Sequence, residues 1–197
     1  HYIQLYLMKD VSLKEFIRRM IAANQDLNVS SPMYGSLFNS SWVTAHAVDV
    51  LDALDGLSSI NENATLMFLI GPDQMGPVDQ PMKYAPEYDV MPAFIVVHTA
   101  HIIGKLHELP TTLVDKVRET IMSHQNSTYL KTDFWRFDRP FLFETARLLN
   151  ETQYVNFTLQ EQDIINSIED HAWLQDSGTM EAFLELKALE EINIVEK

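Results

Sequence analysis

The chain has 197 residues, no cysteine, 6 glycines, 46% apolar residues and a formal net charge of −14. That length and apolar content suit one domain with a core of its own and exclude a disordered chain, and the missing cysteine excludes disulfides and thiolate metal sites. The acidity repels phosphate backbones and anionic lipid, which argues against nucleic-acid binding and leaves a cation, a basic partner or plain solubility.

Leu13, Phe16, Ile17, Met20 and Ile21 lay an apolar stripe along a predicted first helix that opens at Ser12 and ends near Gln25. A loop follows, carrying Tyr34 and Phe38. The second helix opens at or just before Thr44-Ala45-His46. Val48, Leu51, Leu54 and Leu57 make it apolar on more than one side, which predicts burial. Asp49, Asp52 and Asp55 read as a polar helix face that ends at a C-cap on Gly56. A new unit starts at Thr65 and is cut short. Residues 71–92 hold Pro72, Pro77, Pro81, Pro86 and Pro92, a density that predicts an extended loop. The next apolar helix carries Thr99-Ala100, His101, Ile102, Ile103, Leu106 and Leu109. Leu113, Val117 and Ile121 recur at helical spacing after Thr112, with Gln125 near the end of that helix. A loop with Phe134, Trp135 and Phe137 leads to Thr145-Ala146-Arg147, and a last unit starts at Thr158 with Ile164, Ile165 and Ile168 and ends after Met180–Ile192.

The segments at Thr44, Thr99 and Thr145 align with one another, as do those at Ser12, Thr65, Thr112 and Thr158. The reading is an all-α single domain over 1–197, built of about four helical hairpins with units starting near 12, 65, 112 and 158. A helix pair that cannot bury its own apolar face stacks on its neighbours, so the array has an outer amphipathic layer and an inner apolar one.

Residues Ile21-Ala22-Ala23-Asn24-Gln25, Tyr34 to Phe38 and Ser41 to Ala45, with Ile121 to Gln125, Phe134-Trp135 and Phe143 to Ala146, form a pattern. It resembles the α/α-toroid repeat of the prenyltransferase and squalene-cyclase type. The resemblance spans most of the chain and implies an open or small toroid. Its packing residues are present and its chemistry is not. The Gly-Gly before the loop aromatic, the zinc-binding cysteine, the Asp-x-Asp-Asp acid and the thioester Cys are all missing. The family's catalytic residues therefore transfer to no position here, and no cofactor is implied.

The alignment places His46, His101 and Arg147 at one repeat position, a basic row able to hold a carboxylate or sulfate ligand. His98 and His101, three apart, are a secondary metal candidate whose third ligand has to come from elsewhere, with His46 the obvious donor. Ordinary helix histidines bonded to backbone or water explain the pair equally, and a solvated ridge or partners for Asp49 and Glu144 explain the row. Asn28, Asn39, Asn63, Asn126, Asn150 and Asn156 each open an Asn-x-Ser/Thr sequon. With ten Asn and about an eighth Ser plus Thr, chance supplies about one. The excess points to N-linked glycans and an extracellular or cell-surface location, though turns and caps also favour these residues. The longest apolar run, Met91–Val97, is short of a membrane span. The chain opens on His1 without a signal peptide, so a leader or anchor is expected outside it. The expected function is a non-catalytic surface module that binds a protein partner or self-assembles into a homo-oligomer. The alternative is a toroid-type enzyme, terpenoid cyclase-like or polysaccharide lyase-like, using the concave cavity.

Overall fold

A computed structural model describes residues 11–71, 90–124, 133–169, 186–190 and 192. Gln125, Asn126, Pro72 to Pro86 and most of Met180–Ile192 lie outside the described residues. The described residues are helical and form no strand; one isolated antiparallel bridge pairs Gln25 with Leu37. The α-helices are α1 Val11–Ala23, α2 Ser41–Ala53, α3 Glu62–Leu69, α4 Val90–Ile102, α5 Thr111–His124, α6 Asp133–Leu148 and α7 Phe157–Glu169. The chain divides into two compact units, residues 1–79 with 95–109, and residues 80–94 with 110–197.

In the first unit α1 packs on α2, and α2 on α3. Ile21, Val48, Leu51, Leu54, Leu66, Phe68, Leu69 and Val97 are buried in this unit. Each large aliphatic side chain buried in this way contributes about 1.5–3 kcal/mol. The loop between α1 and α2 is tied down from both ends. Thr44 is buried on α2; its hydroxyl accepts the Leu37 N–H at 2.9 Å and lies 2.6 Å from the Ser40 carbonyl, its closest acceptor. Gln25 sits just past α1. Its amide receives the Asn61 N–H at 2.8 Å and donates to the Asn61 carbonyl at 3.0 Å and to Thr65 Oγ1 at 2.9 Å. The predicted Gln at the end of the first helix is thus a strap onto the start of α3.

In the second unit α5 packs on α6. Leu113, Val117, Leu142, Phe143, Ala146, Ile164, Ala188 and Ile192 are buried. Arg139 is fully buried and paired with Asp163 of α7. Arg118 grips the buried Glu151 with two bonds, Nε at 3.1 Å and Nη2 at 2.7 Å. Hydrogen bonding to Glu151, ahead of its Coulomb attraction, holds the Arg118 guanidinium above its ordinary pKa.

One connection recurs three times. After α2, α4 and α6 the chain turns through a left-handed residue: Asp55 (φ 55°), Gly104 (φ 72°) and Asn150 (φ 58°). The next N–H returns to the helix: Gly56 to Leu51 O at 2.7 Å, Lys105 to Ala100 O at 2.7 Å, Glu151 to Ala146 O at 2.8 Å. These are Schellman closures, which satisfy carbonyls left open at a helix end. A 3-10 turn follows each time, Leu57–Ser59, Leu106–Glu108 and Thr152–Tyr154. The following helix is then led in by Asn61, Pro110 or Asn156. Asn61 Oδ1 caps the Ala64 N–H at 3.1 Å and Asn156 Oδ1 caps the Leu159 N–H at 3.1 Å.

This register revises the sequence alignment. The carbonyls of Leu51, Ala100 and Ala146 are equivalent, so Asp52, His101 and Arg147 share the next position, and His46 stands six residues before Asp52. Thr44 is the fourth residue of its helix, while Thr99 and Thr145 lie in the second halves of theirs. Ser12, Thr112 and Thr158 lie one residue inside their helices and Thr65 three, so a helix begins within a turn of each, but these residues are not the caps. Two expected loops end sooner than predicted. Residues 90–92 are helical, because a proline in a first turn costs no intrahelical bond. The backbone of Phe134, Trp135 and Phe137 lies in α6, which continues through Pro140.

Candidate functional site

α2 is apolar nearly all round, and only half of it is covered. Thr44, Ala45, Ala47, Val48 and Leu51 are buried. Trp42, Val43 and Val50 are exposed at 44%, 40% and 38%. At 100° per residue Trp42, His46, Val50 and Val43 fall within one face of the helix, and Asp49 lies at its edge. The burial predicted for α2 is therefore met on one side alone.

Polar groups gather at that edge. Asp49 Oδ1 lies 2.9 Å from His98 Nε2 on α4, and Oδ2 lies 3.5 Å from His46 Nδ1 one turn back on α2. The ring of Trp42 meets that of His46 edge-on, centroids 4.6 Å apart and planes at 86°. One carboxylate thus orients two imidazoles on neighbouring helices, and His46 is left with its side chain 57% exposed. A carboxylate held to an imidazole fixes its tautomer and supports proton transfer or hydrogen bonding to a ligand. Asp49 is the group that the sequence reading assigned to a plain polar face.

His101 is exposed near the end of α4 in the first unit, and Arg147 is half-buried near the end of α6 in the second. His98 of the proposed metal pair is engaged with Asp49. No group of three or more His, Cys, Asp or Glu able to hold a metal occurs among the described residues. Asp52 and Asp55 are exposed, and Asp55 rather than Gly56 is the left-handed residue of the turn. An open cleft of about 540 Å³ lies elsewhere in the first unit, lined by Ile60, Asn61, Glu62, Asn63 and Lys105. Lys105 is paired with Glu108 at 2.7 Å, and that bond holds the Glu108 carboxyl below its usual range.

The described sequon asparagines, Asn28, Asn39, Asn63, Asn150 and Asn156, are all exposed. Asn28 uses its Oδ1 to accept the Ser30 N–H at 3.1 Å, a bond that leaves the amide nitrogen unused. No described helix is long and apolar enough to cross a membrane.

The exposed face was missed because Val48, Leu51, Leu54 and Leu57 predicted burial for the helix as a whole. A signal existed: Trp42, His46 and Val50 form an i, i+4, i+8 line opposite Val48 and Leu51. Comparison with family models, with curated proteins and with solved structures finds no match to this chain.

Proposed function

We propose that this chain is a non-catalytic extracellular or surface module that docks another chain, a partner or a second copy, on the open face of α2. The observation that carries the reading is the joint exposure of Trp42, Val43 and Val50 on one helix face. Single exposed apolar residues are ordinary, but a contiguous strip centred on an aromatic is typical of an interaction surface. The exposed sequon asparagines support the extracellular part of the reading, with N-linked glycans on the finished protein. The threefold connection and the Gln25 strap support stacked hairpins of the toroid-repeat kind. The rival reading, a toroid-type enzyme, draws on the imidazoles oriented by Asp49.

The test is a photo-crosslinking side chain placed at Val50 in the chain secreted from a eukaryotic cell, with the same group at exposed Ser58 as control. A crosslink to another chain at Val50 and not at Ser58 supports the docking face. Equal labelling, or none, at the two positions would sink it. The intact mass of the secreted chain reads the glycans in the same preparation, and a bare peptide mass would remove the extracellular part.

A further inference from the structure

We infer that the open cleft at the start of α3 is the seat of the first N-acetylglucosamine residues of a glycan carried by Asn63. The inference rests on the extracellular reading, which supplies the glycan, and adds where that glycan lies. The cleft, about 540 Å³, is lined by Ile60, Asn61, Glu62, Asn63 and Lys105, so part of its wall is itself a sequon asparagine. Asn63 is exposed and its side chain makes no hydrogen bond among the described residues, which leaves the amide nitrogen free to carry a sugar. The sequon's third residue, Thr65, is buried and bonds Gln25 and the Gly35 carbonyl. Its hydroxyl is reachable only before the Gln25 strap closes, so the sugar is attached to the unfolded chain and the cleft then forms beside it.

The lining suits a neutral, hydroxyl-rich occupant. Glu62 offers a carboxylate acceptor and has no ion pair among the described residues. Lys105 spends one donor on Glu108 at 2.7 Å and keeps others for a sugar oxygen. Ile60 gives an apolar patch for the C–H face of a sugar ring. Part of the wall is fixed before any ligand arrives: Asn61 Oδ1 caps the Ala64 N–H, and the Asn61 backbone is held by both ends of the Gln25 amide. An open cleft binds a free sugar weakly. A glycan bonded to Asn63 needs no high affinity, because its tether holds it at an effective concentration on the order of millimolar.

The test uses four chains secreted from a eukaryotic cell: wild type, Asn63→Gln, Glu62→Ala and the double variant. Glycopeptide masses read occupancy at each sequon. The rate of acylation at Lys105, relative to Lys14 of α1, reads the cleft. Asn63 is expected to carry a glycan, and Lys105 to react about threefold or more slowly in wild type than in Asn63→Gln, which is a seat filled about two-thirds of the time. In the Glu62→Ala background that ratio should fall below about 1.5, since a hydrogen bond to a carboxylate is worth about tenfold or more. A ratio unchanged by Glu62→Ala means that the sugar merely shades the lysine, and it overturns the seat. A ratio near one with Asn63 occupied overturns it as well, because the glycan then projects into solvent. Asn63 bare while other sequons carry glycans overturns the inference and leaves the extracellular reading standing. If no sequon carries a glycan, the two fall together. Where Asn63→Gln is not secreted, enzymatic removal of the glycans from the folded wild type supplies the same comparison.

Discussion

Two glycines with positive φ separate two reasons for needing glycine. Gly35 has φ +92°, and a Cβ there would meet the Ala64 carbonyl oxygen at 1.8 Å and its carbon at 2.3 Å. Gly104 has φ +72° and nothing within 4 Å of its would-be Cβ. Ala at Gly104 therefore incurs only the left-handed penalty, roughly 1–2 kcal/mol. Ala at Gly35 incurs a comparable backbone cost and must also push the loop off the start of α3. Overpacking against a fixed group adds about 1–3 kcal/mol, for a total of roughly 2–5 kcal/mol. The obstruction is backbone, so no rotamer change relieves it. The shift also loosens the Gln25 strap, because Thr65 Oγ1 bonds both Gln25 and the Gly35 carbonyl. Urea unfolding followed by far-UV circular dichroism reads the two variants, with Gly104→Asn as reference. That reference should be nearly neutral, since Asn150 already fills the equivalent turn position at φ 58°. In thermal melts Gly35→Ala should lower Tm by roughly 4–20 °C, on the scaling for chains of this size. If Gly35→Ala were no more destabilising than Gly104→Ala, the close approach of the loop to α3 would be refuted.

Gln25→Ala removes three hydrogen bonds and leaves the Asn61 backbone to water, at a cost of about 1–3 kcal/mol by the same unfolding assay. Leu51→Ala empties a fully buried site on the covered half of α2 and should cost roughly 2–5 kcal/mol, whereas Val50→Ser on the open half should stay within about 0.5 kcal/mol. A large cost for Val50→Ser in the isolated chain would show that the face is already covered. Asp26 is held below its usual pKa by the Ser31 hydroxyl first and the Asn28 N–H second. A depressed carboxyl stabilises above its unfolded pKa and stops doing so as pH falls through the folded value. Asp26→Asn should therefore narrow the gap to the wild type in acid and widen it near neutrality; a gap independent of pH would contradict this.

How much of this was legible depends on which residues carry each feature. The helical class follows from apolar spacing, and Leu113 and Val117 are buried as their stripe requires. Gln25 was visible as a punctuation mark, but its strap to Asn61 joins residues 36 apart, and no local pattern encodes that pairing. Asp49 was visible as one of three spaced acids. Its partner His98 lies 49 residues on, and only the packing of α4 beside α2 brings them together. The aromatics at 134, 135 and 137 read as loop because the alignment on Thr44 and Thr99 opens the second helix only near Thr145. α6 nevertheless runs on through Pro140, its flanking Arg139 buried and paired with Asp163.

The recurring connection shows why identity was a poor guide to register. Thr-Ala pairs recur at 44, 99 and 145, yet they sit at different depths in their helices. The feature that does repeat is a backbone conformation, and the residues carrying it are Asp55, Gly104 and Asn150. These three share no side-chain chemistry that a core alignment rewards. They share tolerance of positive φ, which Gly has without cost and Asn and Asp have by local hydrogen bonding. Each is followed by the same returning N–H, the same 3-10 turn and a lead residue six positions on. Aligned on that tolerance, the chain gives Asp52, His101 and Arg147 one place and sets His46 apart. It thereby moves His46 from a basic row to the Asp49 cluster, beside the face that α2 leaves open.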